Sequence, residues 1–456
     1  MNQILYYFLL FAVPLSVMGQ TAAKAAQSTF VTTQEQSGVV DESFSHSSTQ
    51  SNAELRKSVG SFSADVDRRV SAVGYPGGNS LAIVAQKLTA ELPGDLARLY
   101  AIYRWITTYI EYDVDAYFSG DLRNAVGAAN TFHRGKAVCD GYSSLLQEMG
   151  AVAGLQIEKV DGYAKGYGYA VGVMTGGANH AWNAVKLDGR WYLLDSTWDA
   201  GSIDDSGHFS KKSGKWNYFL VDPQFFITSH FPENPTWQLL QHPVTHNTFL
   251  EMASVPPGMI DLGVDTSKHS RAHIVAAVAP YLFDFGAGVQ QLSGRLSAGS
   301  KEVEGVWALQ LCQSDNHVKL LFSAPKAGDY VATVFVSEKS TDTKTSDAIL
   351  YNITFTDVAS YPKGFPFVFI DYYARRVVLA EPLSGVLPSG KLVRFKLKSD
   401  GAQQMIITQH SKPVAHLLME SGYFTGDVTL SPGEAEVFAN YGNGNSYAGL
   451  LNYKVE

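Results

Sequence analysis

Apolar residues recur with a helical period through the first third of the chain and with a period of two thereafter. "NSLAIVAQKLTAEL" (79–92) has the helical spacing. In "GDLARLYAIYRWITTYIEYD" (94–113) apolar side chains stand at 96, 99, 100, 103, 106, 109 and 110, one broad apolar face of a helix. Apolar positions 145, 146, 149 and 152 predict another helix, running from the Cys139 segment to Gly154, a favourable C-terminal cap. The period then changes. "QIEKVDGYAKG", "HAWNAVKL" and "RWYLLDSTW" predict strands, with Asp188-Gly189 as a two-residue hairpin turn. Residues 76–240 therefore read as an α+β domain, helices packed on an antiparallel sheet.

From about residue 241 the helical signal nearly vanishes. Short alternating runs such as "VKLLFSA", "DYVATVFVS", "LVRFKLKS" and "QMIITQH" recur between Gly, Pro and Ser turns. They predict two all-β sandwich modules, 241–358 and 359–456. "PKAGDYVATVFV" (325–336) suits a turn entering an outer strand. At the other end, "ILYYFLLFAVPLSV" (4–17) followed by "MGQTAAKAA" reads as a signal peptide over 1–19, although no Lys or Arg precedes it. The run is short for a membrane span, which needs about 20 apolar residues. No cysteine follows it to carry a lipid anchor. The expectation is an exported chain, secreted, periplasmic or at the cell surface, with no membrane span once mature. Residues 20–75, rich in Ser, Thr, Gln and Ala, read as a disordered linker or pro-segment.

Composition narrows the chemistry. With 456 residues the chain is long enough for two to four domains. A net charge of −8 with no basic block excludes nucleic acid as the main partner. The two cysteines, Cys139 and Cys312, cannot build a disulfide framework and read as independent thiols, Cys312 as a buried apolar residue, with a single bridge between them as the alternative. The 12 histidines form no i, i+4 pair with a Glu, and there is no CxxC. "DVDAYFSGD" (113–121) lacks the Glu that an EF-hand loop needs at its twelfth position. No metal and no cofactor is implied.

Cys139 is the residue that asks for an explanation. A thiol becomes a nucleophile when a helix N-terminus lowers its pKa or an adjacent imidazole takes its proton. Cys139 stands where a helix begins, with N–H groups available to a thiolate or an oxyanion. If Asp188-Gly189 closes the hairpin, Leu187 pairs with Arg190, Trp182 with Asp195 and His180 with Thr197. His180 and Asp195 are then diagonal neighbours on one face, about 7–8 Å apart at the backbone. A one-residue slip would place them on opposite faces. Each has a plainer reading alone: a buried structural cysteine, a surface or satisfied core histidine, an aspartate ending a strand. Together they propose Cys139, His180 and Asp195 as catalytic. Asp140, Trp182, Asn183, Trp198 and His133 are further candidates for the substrate or oxyanion site, with packing or turn roles as the plainer alternative. The Gly/Tyr-rich 162–179 stretch reads as a wall or lid of the site or as a surface loop.

The blocks "GKAVCDGYSSLLQEMGAVAGLQ" and "NHAWNAVKLDGRWYLLDSTWDAG" resemble the transglutaminase-like superfamily of papain-type cysteine enzymes. "LYAIYRWITTYIEYDVDAY", "NYFLVDPQFFITSHFPENPTWQLL" and "EPLSGVLPSGKLVRFKL" are similar to its kyphoscoliosis-peptidase branch. The resemblance covers about 76–456 and is strongest over 95–240. It implies a papain/transglutaminase-like core, with Cys139 as nucleophile, His180 as general base and Asp195 as the orienting carboxylate. It also implies a protein or peptide substrate. The superfamily includes cross-linking acyltransferases, peptidases, other amide hydrolases and members without demonstrated activity. The calcium sites of animal transglutaminases are not recognisable here, and export departs from the intracellular animal members. The expectation is a thiol enzyme acting on peptide or isopeptide amide bonds, hydrolysis ahead of amine transfer. The alternative is a catalytically silent scaffold that binds a partner through the triad domain and the β modules.

Overall fold

A computed structural model describes residues 51–456, apart from 76–78, 175, 205, 212–215, 277–278, 287–288, 290, 313–317, 338–347, 359–360, 443 and 445. The signal-peptide expectation at 1–19, and the linker expectation up to residue 50, lie outside the described residues. From residue 51 the linker expectation fails, because the chain is helical in α1 (Asn52–Ser58) and α2 (Ser63–Val73). Ser51 and Glu54 form a capping box that starts α1. Val59, Val66 and Val70 are buried in the same core as Leu99 and Tyr103. The Ser, Asp and Arg residues of this stretch include the solvent-facing side of these helices.

Helices α3 (Leu81–Thr89) and α4 (Gly94–Tyr109) follow. Nine residues of α4 are buried, a wider face than the spacing predicts. It packs against α2, α3 and the helix that begins at Cys139. Strand β1 (Glu111–Tyr112), α5 (Val114–Ser119), α6 (Ala128–Arg134) and β2 (Lys136–Ala137) lead to α7 (Cys139–Val152). Then come β3 (Gln156–Ala164), β4 (His180–Leu187), β5 (Arg190–Leu194), α8 (Ser196–Ala200), α9 (Pro223–Phe226) and β6 (His230–Pro232). The sheet order is β5-β4-β3-β6, antiparallel throughout.

The two faces of this sheet do different work. Val185 and Leu187 of β4 join the core with Leu145, Leu146 and Met149 of α7. Trp182 and Ala184 face the other way, into a cluster with Val160, Leu193, Tyr218 and Phe226. Along β3, Gly162 and Ala164 share that second face by strand alternation. Gly162 pairs with both His180 and Pro232, and Ala164 pairs with His230. A Cβ at Gly162 would overlap the Phe231 carbonyl and the Trp182 ring. The small residues of β3 thus leave a trough in which rings from β4 and β6 meet.

After the sheet, the expected loss of helix is incomplete: α10 (His246–Glu251), a turn of helix at Pro257–Asp261 and a 3₁₀ turn at Thr266–His269 lie between sheet and modules. Segments this short carry no readable period. Strands between His273 and Phe355 form one five-stranded and one three-stranded sheet. The strand Gly328–Ser337, expected at an edge, is central, paired with Gln291–Ala298 and Ala348–Phe355. Strands from Phe367 to Val455 form the last sheet system. In it, Lys412–Glu420 pairs with Gln404–Gln409 through its first half and with Tyr423–Thr429 through its second. The architecture is an α+β core followed by β-sandwich-like modules. Among the described residues no helix is long and apolar enough to cross a membrane.

Candidate active site

The approach to Cys139 is fixed on three sides. Gly135 ends α6 with a left-handed φ of 65°. β2 pairs in parallel with β1, setting Ala137 beside Tyr112. The Val138 N–H donates to the Ala125 carbonyl at 2.9 Å. Cys139 is then the first residue of α7, half-buried and free of any disulfide. Val138 offers no capping side chain, and the Cys139 and Asp140 N–H groups have no acceptor among the described residues. These are the orphan donors of a helix start, where partial positive charge favours an anion.

The hairpin has the expected register from Asn183–Leu194 to Leu187–Arg190. Beyond it the expectation needs correcting. β5 stops at Leu194, so Asp195 does not pair with Trp182, and Thr197 lies in α8 instead of opposite His180. The reason is capping: Asp195 Oδ1 accepts from the Thr197 N–H at 2.7 Å and the Trp198 N–H at 3.2 Å. Its other oxygen turns back to the sheet, and His180 Nε2 lies 2.7 Å from Asp195 Oδ2. This leaves His180 Nδ1 free of Asp195, and Cys139 lies close enough to help hold a proton on the imidazole.

A second imidazole shares Asp195. His230, fully buried on β6, places Nε2 3.1 Å from Asp195 Oδ2 and Nδ1 2.8 Å from Ser229 Oγ. With the Ser229 hydroxyl donating to Nδ1, His230 is the neutral tautomer that donates from Nε2. Asp195, with no exposed surface, therefore accepts from four donors. The backbone behind it is anchored as well, since the Tyr103 hydroxyl lies 2.8 Å from the Asp195 carbonyl and 2.6 Å from Asp199 Oδ2. His180, Asp195 and His230 bring their donor atoms within 4.8 Å of one another. Their spacing on Asp195 Oδ2 is hydrogen-bond spacing, so these atoms are engaged with each other.

Burial opposes charge on His180, but the Asp195 carboxylate and then Cys139 outweigh it and push the imidazole up to about 10. Burial alone would raise Asp195; His180 first and His230 next hold it well below the usual carboxylate range. Burial pushes His230 down to about 4, with Asp195 offsetting part of the effect. The last value has a consequence for acid stability. An unfolded histidine takes up a proton near 6.5, which buried His230 refuses until about 4. Stability should fall as pH drops through that window, by up to about 3 kcal/mol. His230→Phe keeps a ring against Phe226 and Trp198, whose centroids lie 4.2 and 4.4 Å away. Urea unfolding of this variant should show a flatter pH dependence between 6.5 and 4 than the parent chain.

The other sequence candidates fall in different places. Trp182 is buried, its ring 6.1 Å from His180 and its indole N–H without a partner among the described residues. Trp198 stands 5.5 Å from His180. Asn183 points to the helix side of the sheet, donating to the Ser143 carbonyl at 3.0 Å. Asp140 accepts from the Gly127 N–H at 2.9 Å and pairs with Lys159. His133 is exposed in the last turn of α6 against Phe132. His230 was missed by sequence reasoning. Its one signal was the polar pair Ser229-His230 inside the apolar run "FFITSHF".

A cavity of about 600 Å³ opens beside the triad. His180, Thr197 and Trp198 form one side of it, the 164–174 stretch another, and Ala272, Ala348 and Leu350 of the first β module a third. The Gly/Tyr-rich stretch is clamped to that module by Asn352 Nδ2 donating to the Val171 carbonyl at 3.2 Å.

The blocks around Cys139 and His180 resemble the transglutaminase-like superfamily. Residues 83–196 match the family model of that superfamily, so this part of the chain is a transglutaminase-like domain. Its curated relatives put it on the kyphoscoliosis-peptidase-like branch. Kyphoscoliosis peptidase of Mus musculus is 40% identical over 223 residues, which cover 46% of this chain and 33% of that protein. The Homo sapiens kyphoscoliosis peptidase is 39% identical over 223 residues, with the same coverage of 46% and 33%. The chain thus spans about a third of the length of these relatives. Among solved structures, a crystal structure of a TGase is 17% identical, covers 34% of this chain and 41% of that chain, and has a TM-score of 0.22.

Proposed function

We propose that the chain is an exported thiol enzyme that acts on peptide or isopeptide amide bonds through Cys139, His180 and Asp195. The observation that carries this reading is the position of Asp195. A wholly buried carboxylate holds His180 by Nε2 and leaves Nδ1 unengaged by it, with a helix-start thiol close to the ring. Export is part of the reading and rests on the apolar run 4–17.

In this mechanism the Cys139 thiol gives its proton to His180 Nδ1, and the sulfur attacks the amide carbonyl. The Cys139 N–H, with Asp140's beside it, meets the oxyanion. As the tetrahedral intermediate collapses the C–N bond breaks, and His180 returns the proton to the leaving amine. Asp195 keeps the ring oriented and stabilises the imidazolium without taking its proton. Water, deprotonated by His180, then attacks the thioester; the acid leaves and the thiol is restored. An amine in place of water would make the same acyl-enzyme a cross-linking step.

The test supplies a glutamine-bearing protein, with and without a fluorescent primary amine, to the full chain and to Cys139→Ala. Ammonia or peptide release without label is the expected result, and Cys139→Ala should abolish it. Label incorporation would reassign the reaction to transfer. Loss of both, with Cys139 inert to alkylation, would overturn the enzyme reading in favour of a binding protein.

A further inference from the structure

The cavity beside the triad has an unusual charge distribution. Its wall holds no Asp, Glu or Arg among the described residues, although the chain carries 43 acidic residues. Its cationic side chains are His180 and Lys165. His180 is neutralised by Asp195 at 2.7 Å. Lys165 is not neutralised. It is 7% exposed, and its Nζ donates to the Phe249 carbonyl at 2.6 Å and the Met252 carbonyl at 2.7 Å. The rings of Phe249 and Tyr169 lie 4.3 and 5.7 Å from the nitrogen. No carboxylate pairs with it among the described residues, and burial alone pushes the ammonium down to about 7.

An ammonium has three donors, and two are used. Lys165 lines the cavity together with Met252, whose carbonyl accepts from the nitrogen, and Tyr169, whose ring centre lies 5.7 Å from it, so the lysine is part of its wall. Placing a cation there without a counter-charge costs stability, because burial disfavours the charged form. A structural clamp between β3 and α10 would need only the two carbonyls, and an apolar side chain would fill the same space at less cost. What an uncompensated, wall-set ammonium offers is a partner for an anion that arrives with a ligand. Around it, Tyr112, Tyr117, Tyr167 and Trp198 give the cavity an aromatic lining suited to an apolar or aromatic body.

Gly162 pairs with His180, and Lys165 lies three residues further along the same segment, so the chain joins Lys165 to the reacting end of the cleft.

We propose that Lys165 is the carboxylate-recognition residue of this cleft. The acyl donor carries a carboxylate on the part of it held in the cavity, and this carboxylate receives the third Lys165 N–H. The carboxylate belongs either to an Asp or Glu side chain or to a chain end. The inference rests on the amide-bond reading above, since it names the substrate class of that site.

The test measures binding, not turnover. Full-length Cys139→Ala is titrated at pH 6, followed by Trp198-sensitive tryptophan fluorescence and checked by calorimetry. One pair of short tyrosine-containing peptide amides differs by Glu against Gln. A second pair differs by a free against an amidated C-terminus. At least one carboxylate peptide should bind about tenfold more tightly than its neutral counterpart, as expected for a hydrogen bond to a charged group. Which pair responds identifies the source of the carboxylate. The preference should vanish when Lys165→Met is added, and again with Lys165→Gln, which guards against one variant failing to fold. Equal binding within both pairs, no binding by any of the four peptides, or a preference that survives both variants would overturn the proposal. Failure of the enzyme reading looks different, as a wild-type Cys139 inert to iodoacetamide whatever the peptides do.

Discussion

Asp195→Asn is expected to leave the chain folded while lowering amide-bond turnover by on the order of 10⁴ and slowing alkylation of Cys139 at pH 7. The fold should survive because the amide oxygen can still accept from the Thr197 and Trp198 N–H groups and cap α8. The chemistry should not survive, because the other end of the side chain becomes an NH₂ group. It would face two N–H groups, those of His180 and His230, where a carboxylate oxygen now accepts both. His180 can relieve the clash only by moving its proton to Nδ1. The ring then presents a donor to the thiol and cannot take the thiol proton. The lost charge acts in the same direction. Asp195 is the group that lifts His180 to about 10 against burial, so without it burial drives the imidazole below its ordinary value. The alkaline limb of the alkylation profile should therefore move to lower pH by several units. A pH series of iodoacetamide rates on parent and variant measures this. An unshifted profile would show that Asp195 does not control His180.

The second large effect is expected at His180. His180→Ala removes the base, and general-base assistance of this kind is worth about 10²–10⁴ in rate. It also leaves Asp195 buried with three donors and no cationic partner, which costs stability. His180→Gln separates the two losses, since its amide can still donate to Asp195 but cannot take a proton. Both variants should lose reactivity alike, and His180→Gln should keep more of the stability. The pH dependence of stability follows from the same pair. His180 binds its proton far more tightly folded, about 10, than at its ordinary 6.5. The stability it contributes is complete below about 6.5 and is lost as pH rises toward 10. Asp195, depressed on folding, contributes above the ordinary carboxylate range and loses its contribution as pH falls through the folded value. Chemical unfolding between pH 6.5 and 10 should show a steeper decline for the parent than for His180→Gln.

Much of this site was legible because two periodicities meet in it. The α4 and α7 spacing and the Asp188-Gly189 turn were enough to set β4 against β5 in the register now seen. What spacing could not supply was the point where β5 ends. Asp195 is one residue past the strand, and its capping of α8 joins it to His180 across a corner instead of along a ladder. The helices at 52–73 were hidden because few of their residues are apolar, and those few need α4 to be buried. His230 was hidden for a topological reason. It reaches Asp195 from a three-residue strand added at the far side of β3, 35 positions along the chain. Lys165 drew no reading from the sequence, because its burial depends on α10.

The central claim is that Cys139 is an activated thiol, and the chain contains its own reference in Cys312. That second cysteine is buried, its thiol pushed up by burial and contacted by Gln310 Nε2 at 3.6 Å. The most direct measurement is the rate of iodoacetamide labelling at each cysteine, by peptide mass spectrometry at neutral pH, in native and denatured chain. Native Cys139 should be labelled far faster than Cys312 and faster than in the denatured chain. Native labelling of Cys139 no faster than in the denatured chain would contradict it.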